Sequence, residues 1–122
     1  MHELGITQGI IDRARAAATE AGAVGVKRLY LAITPAADFT QDSIEMYFEM
    51  LAGEDAFFEG AELVFEWAPA DATCLECGQT FSAEGEAARC PGCDGDQLRY
   101  DQSVPMIQLT GVDITEPEDT AE

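Results

Sequence analysis

The feature that most constrains this chain is a paired cysteine arrangement, Cys74-Leu-Glu-Cys77, twelve intervening residues, then Cys90-Pro-Gly-Cys93. Two residues between thiols let both sulfurs of a tight turn point at one ion. Two such turns facing each other offer a tetrahedral four-sulfur cage with bonds of about 2.3 Å, the spacing of a zinc ribbon. Four ligands fill zinc's coordination sphere and leave no position for water, so the expected role of the metal is structural. Rubredoxin-like iron and a redox Cys-x-x-Cys are the alternatives, although redox chemistry has no need of a second facing pair. Gly78, Gly92 and Gly95 lie where backbone N–H groups turn toward sulfur, and they read as part of this knuckle geometry.

The cysteines sit in a stretch of distinct character, residues 69–102, rich in Gly, Cys and acids and poor in long apolar runs. It reads as an inserted module, with Phe81, Leu98 and Tyr100 expected as a miniature core. The rest of the chain is patterned differently. Ile6, Ile10, Ile11, Ala14, Ala17, Ala18 and Ala21 recur at helical spacing over 6–21, with Gly22 as the stop. From Val26 to Ile33 the period falls to two, with Leu29, Leu31 and Ile33 opposite Arg28, Tyr30 and Ala32. Thr40 or Asp42 can cap a second helix, with Ile44, Tyr47, Phe48 and Leu51 on one stripe and Gly53 at its end. Further strands are expected at Ala61–Trp67 and Met106–Ile114, the latter with a bulge at Gly111. The fold class expected is α+β: a small mixed three-stranded sheet with two helices on one face, plus the inserted zinc-ribbon module. The corresponding domains are residues 1–68 with 103–115, the ribbon at 69–102, and an acidic tail at 116–122.

Charge narrows the partners. The 122 residues carry 24 Asp and Glu against 6 Lys and Arg, a formal net charge of −18. Both parts share it, with 12 acids and 4 bases in 1–68 and 12 acids and 2 bases in 69–122. Such a field repels phosphate backbones and anionic membranes, so neither nucleic acid nor a membrane is an expected partner. The bias also suits a high-salt cytoplasm. No apolar run approaches the roughly 20 residues of a membrane span, and the N-terminus lacks the basic-then-apolar order of a signal peptide. A cytoplasmic location follows as the expectation, and in a reducing compartment four thiols favour metal over disulfides.

The single histidine is His2. A lone terminal histidine is ordinarily a solvated side chain, but its position supplies more. The α-amine of Met1, the His2 amide nitrogen, the His2 imidazole and the Glu3 amide nitrogen together form fused chelate rings. Four nitrogens in a square plane suit Ni(II) or Cu(II) rather than zinc. This requires an unblocked Met1, and the bulky second residue is expected to preserve the initiator methionine.

With Met1-His2-Glu3-Leu4 at the start, a helix-strand-helix unit, Glu59-Gly60-Ala61 opening a strand, and Cys90-Pro91-Gly92-Cys93 in the second pair, the chain resembles the HypA/HybF family. These are nickel chaperones of hydrogenase maturation, and the resemblance runs from Met1 to about Ile114. It implies nickel binding through Met1, His2 and Glu3 and a structural zinc on Cys74, Cys77, Cys90 and Cys93. It further implies delivery of nickel to the large subunit of a nickel-iron hydrogenase with the maturation GTPase HypB, and in some members service to urease maturation proteins. Monomer and homodimer both stay open. Gly5 stands where many relatives have Ser, Val104-Pro105-Met106 replaces an expected Gly-x-Glu, and Asp55-Ala56 replaces Gly-Thr. The rival reading is a zinc-ribbon interaction module of transcription or translation. An enzyme is not expected, because the chain shows no nucleophile motif and no phosphate-cradling Gly-rich loop.

Overall fold

The structure is a computed structural model that describes residues 2–101, 103 and 105–117, with the side chain of residue 2 set aside. The chain divides into two compact units. One is built from the described parts of Met1–Leu31, Phe39–Phe65 and Leu109–Glu122, the other from those of Ala32–Asp38 and Glu66–Gln108.

The first unit contains both helices. Helix α1 spans His2–Glu20, beginning ahead of the apolar periodicity that marks Ile6. Its fully buried stripe is Thr7, Ile10, Ile11, Ala14 and Ala18, while Ala17 and Ala21, expected on that stripe, are exposed. Thr7 joins the stripe because its hydroxyl donates to the Glu3 carbonyl at 2.7 Å, which removes the cost of burying it. The helix stops as the residues predict. Gly22 takes φ +80°, Ala23 N–H returns to the Ala18 carbonyl and Gly22 N–H to the Thr19 carbonyl, a Schellman termination.

Strand β1, Gly25–Ile33, buries Leu29 and Leu31 and leaves Arg28 exposed and Tyr30 half-buried. Helix α2, Gln41–Ala52, is capped by Thr40, whose side chain accepts from Ser43 N–H at 3.1 Å, and it buries Ile44, Phe48 and Ala52. Gly53 closes it in an ordinary right-handed conformation, and glycine is needed there because a Cβ would collide with the Glu49 carbonyl. Asp55 then caps a single 3-10 turn, Ala56–Phe58, accepting from Phe57 N–H at 3.0 Å. The same carboxylate holds Arg15 at 2.6 Å, and that guanidinium lies 5.3 and 5.1 Å from the ring centres of Phe57 and Phe58. Asp55, which stands where the family resemblance leads one to expect a Gly-Thr loop, thus ties α1 to the turn.

Strands β2, Glu62–Trp67, and β6, Ile107–Thr115, flank β1 in a sheet of order β2-β1-β6. Val24 N–H meets the Thr115 carbonyl and Thr34 N–H the Met106 carbonyl, so β6 runs antiparallel to β1. Arg28 reaches Glu62 near one end and Ala68 N–H donates to Ile33 near the other, so β2 runs parallel and the sheet is mixed. On the face away from Leu29 and Leu31, Arg28 spans the sheet, 3.3 Å from Glu62 and 3.1 Å from Asp113, and Tyr30 Oη donates to Asp113 at 2.6 Å.

The second unit holds a second sheet, made of β3 (Ala70–Cys74), β4 (Thr80–Ala83) and β5 (Leu98–Tyr100) in the order β4-β3-β5. Both pairings are antiparallel, Ala72 facing Phe81 on one side and Tyr100 on the other. Phe81, Leu98 and Tyr100 are only half-buried, contrary to the miniature core expected of them. Among the described residues between 69 and 102, the fully buried positions are Ala70, Ala72, Cys74, Ala83 and Cys90. No helix of the described residues is long and apolar enough to cross a membrane.

Leu29 has 0% exposure at the centre of the first sheet, and Leu29→Ala is expected to cost about 2–5 kcal/mol in denaturant unfolding. Asp55 is held below the usual carboxylate range first by Arg15 and then by Phe57 N–H. Its contribution is therefore fully present above the unfolded carboxylate value of about 3.9 and is lost as pH falls through the lower folded value. Thermal melts should show wild type above Asp55→Asn near neutrality, with the gap closing in acid.

Candidate metal centre

The two cysteine turns have the same backbone plan. Cys74 ends β3, its N–H donates to the Gln79 carbonyl at 2.8 Å, and its carbonyl accepts Gly78 N–H at 2.8 Å. In the second turn Cys90 N–H donates to Gly95 at 2.9 Å and the Cys90 carbonyl accepts Asp94 N–H at 2.7 Å. Each loop closes through a left-handed residue four positions after its first cysteine, Gly78 at φ +80° and Asp94 at φ +64°. Asp94 escaped the sequence reading, which placed Gly78, Gly92 and Gly95 in the knuckle; the N–H groups of Gly92 and Gly95 do turn to the sulfurs of Cys90 and Cys93. A short polar side chain tolerates the left-handed region, and that was the available signal.

Those two glycines serve another need. A Cβ on Gly92 would collide with Oε1 of Gln79, and one on Gly95 would come within 2.6 Å of Oε2 of Glu76. Side chains from the first turn therefore rest on the glycines of the second. Arg89 braces that second turn by donating to the Asp94 carbonyl at 3.2 Å.

These loops bring the four sulfurs together, all within 4.8 Å of one another. Cys74 lies 3.6 Å from Cys93 and Cys77 3.6 Å from Cys90. A disulfide needs about 2.05 Å. A tetrahedron with metal–sulfur bonds of about 2.3 Å has edges near 3.8 Å, so the thiols fit a divalent ion bound by four thiolates. Cys74 and Cys90 are buried, Cys77 and Cys93 exposed. The sulfurs are primed unequally. Backbone N–H groups of Cys77 and then Glu76 bring Cys74 down to about 7 against its own burial. At Cys93 the Gly95 N–H acts downward, but the Cys74 thiol, burial and the other two thiols outweigh it and push the group up to about 12. Cys77 is also raised, the Gln79 N–H being outweighed by Cys90, burial and Cys74. Cys74 thus ionises readily while Cys77 and Cys93 resist following it, and a dication that neutralises the cluster would remove the conflict.

At the other expected site, Met1 and the side chain of His2 lie outside the described residues. Glu3 is described: it is half-buried in the first turn of α1, with its carbonyl accepting the Thr7 hydroxyl. The acidic tail expected at 116–122 is described only as far as Pro117, and Val104 lies outside the described residues.

Comparison with known proteins agrees with this architecture. The family model described as hydrogenase/urease nickel incorporation, metallochaperone, hypA matches residues 1–109. A hydrogenase maturation factor HypA of Dehalococcoides mccartyi is 39% identical over 95 residues, 78% of this chain and 79% of that one. The HypA of Aeromonas hydrophila is 31% identical over 115 residues, covering 94% of this chain and 100% of its own. Among solved structures, the solution structure of the Ni metallochaperone HypA from Helicobacter pylori superposes with a TM-score of 0.64. It covers 93% of this chain and 97% of that chain at 16% identity, a likeness of fold. The mixed sheet with its two helices, the four-sulfur cluster and the match over residues 1–109 lead to one assignment: this chain belongs to the HypA family of hydrogenase/urease nickel-incorporation metallochaperones.

Proposed function

We propose that this chain carries Ni(II) on Met1, His2 and Glu3, holds zinc on Cys74, Cys77, Cys90 and Cys93, and hands nickel to a nickel-iron hydrogenase large subunit with a HypB-type GTPase. The observation that carries the reading is the family match, which starts at residue 1 and includes both ligand sets. Residues 1–68 with 103–115 form the nickel-binding domain in this reading and 69–102 the zinc ribbon. The reaction is transfer of an ion, with no catalytic step assigned to any residue. The working compartment is the cytoplasm.

The start of α1 suits the nickel ligands. In the first turn of a helix the amide N–H groups have no carbonyl four residues back, so the Glu3 nitrogen has no helical partner to give up. Deprotonating the His2 and Glu3 amides creates two negative charges, which a helix N-terminus stabilises and which neutralise Ni(II). Each deprotonation competes with binding, as does protonation of the imidazole, so affinity falls as pH falls. A chelate on the end of a chain opens from one side, and an acceptor can peel it away. The zinc centre has the opposite character. When bound, zinc supplies a four-way cross-link and the neutralising charge. The chain's part is to converge four sulfurs, two of them buried, and to aim backbone N–H groups at them.

Titration of untagged, zinc-loaded protein with Ni(II), followed by calorimetry and the visible absorption of square-planar nickel, tests the first site. One equivalent is expected to bind, and binding is expected to vanish both in His2→Ala and in a chain extended ahead of Met1. Binding that is absent or indifferent to both changes leaves a zinc-ribbon interaction protein as the better account. The second site is tested by the Cys74→Ala, Cys77→Ala double variant, which should lose zinc and amide-exchange protection across 69–102. An unchanged ribbon would refute the zinc assignment.

A further inference from the structure

The four sulfurs share one kind of backbone donor. Glu76 N–H lies 3.4 Å from Cys74 Sγ and Gly92 N–H 3.4 Å from Cys90 Sγ. Gln79 and Gly95 N–H groups serve Cys77 and Cys93 in the same way. Cys90 alone among them is also met by a carboxamide, that of Gln79, whose Oε1 lies 3.9 Å from its Sγ. Gln79 belongs to the opposite turn, immediately after Cys77-Gly78. The end of its side chain fills the space that a Cβ at position 92 would occupy. The contact therefore depends on three residues: a glutamine on one turn, and a buried sulfur and a glycine on the other.

As a thiol, Cys90 donates its proton to Oε1 of Gln79. A metal-bound sulfur has lost that proton and only accepts. A carboxamide has an acceptor on one side and two donors on the other, of nearly equal size. Turning about its last torsion exchanges them in place. Resting on the reading that the four cysteines hold zinc, we infer that Gln79 is a positioning residue of that centre. Its Nε2–H donates to the Cys90 thiolate across the two turns, and Gly92 provides the room for it. The donor is neutral, which matters where Glu76, Asp94 and Asp96 neighbour the cysteines in sequence and a zinc-bound tetrathiolate would carry a formal charge of −2. Glu76, which rests on Gly95 in the mirrored place, cannot donate once ionised. The clasp is thus one-sided: hydrogen bonding protects Cys90 from reprotonation and joins the turns that must separate for metal to leave.

The test compares wild type with Gln79→Ala, Gln79→Glu, Gly92→Ala and the Gln79→Ala, Gly92→Ala double variant. Zinc release to excess chelator gives the rate, and the sulfur-to-cobalt charge-transfer band of Co(II)-substituted protein reports the thiolates directly. Gln79→Ala and Gly92→Ala should each speed release by about five-fold, the change that corresponds to one ordinary net hydrogen bond. The double variant should be no faster than Gln79→Ala, since both changes remove one contact. Gln79→Glu keeps the size but not the donor, so it should release zinc at least as fast as Gln79→Ala. The cobalt band should move to lower energy in every variant. Wild-type release and band position in Gln79→Glu would reduce Gln79 to packing and overturn the inference, as would multiplying effects in the double variant. A wild-type chain that takes up no zinc would instead overturn the zinc reading and this inference with it.

Discussion

The convergence of four thiols is the interaction on which the second unit depends. Among the described residues between 69 and 102 no fully buried side chain is larger than cysteine: Ala70, Ala72 and Ala83 with Cys74 and Cys90 make up that interior. Burial of so little apolar surface cannot offset the conformational entropy of ordering some thirty residues. In the proposed reading, a metal bound by four thiolates would supply what the hydrophobic effect does not, because binding free energy is folding free energy when the site does not exist in the unfolded chain. The short strands, the paired turns and the left-handed Gly78 and Asp94 all serve to hold sulfurs at tetrahedral spacing.

The first unit is built on the opposite principle. Ile10, Ile11, Leu29, Leu31, Ile44 and Phe48 form an ordinary apolar interior between two helices and a sheet. No cross-link is needed there, and polar contacts work at the edges. Arg15 is held by Asp55 over two aromatic rings, and Arg28 joins the outer strands through Glu62 and Asp113. In a chain of net charge −18 such cations do more than pair. They interrupt runs of like charge that would otherwise oppose compaction. The division suits the proposed metal carrier, in which four cysteines would form a closed centre and the cargo would sit at one end of the chain.

Periodicity carried most of the first unit, because side-chain direction along a helix or strand is a local property. The stop at Gly22, the cap at Thr40 and the alternation of β1 all stand in the structure as the residues suggest. The start of α1 was illegible for a related reason. Its first turn has no apolar repeat, and the burial of Thr7 depends on a hydrogen bond that hydrophobicity does not encode. Alanine fails as a phase marker too, being at home on either face, so Ala17 and Ala21 turned out exposed. The strands of the ribbon, five residues at most, were hard to read: β3 alternates, but its buried side chains are two alanines and a cysteine, which carry little hydrophobic signal.

The sequence by itself determined that four thiols would meet, since Cys-x-x-Cys spacing forces each pair onto one tight turn. It determined as well the α+β character of the rest, through its two hydrophobic periods. Only the tertiary structure decided what the glycines beside the cysteines are for. Gly92 and Gly95 read as places where backbone N–H groups turn toward sulfur, and they do so, but they are also spaces, occupied by the side-chain ends of Gln79 and Glu76. The left-handed duty falls to Gly78 and Asp94. A dihedral preference is written in a residue and its neighbours. The room above a Cα is set by a side chain that arrives from more than ten residues away, and no local pattern announces it.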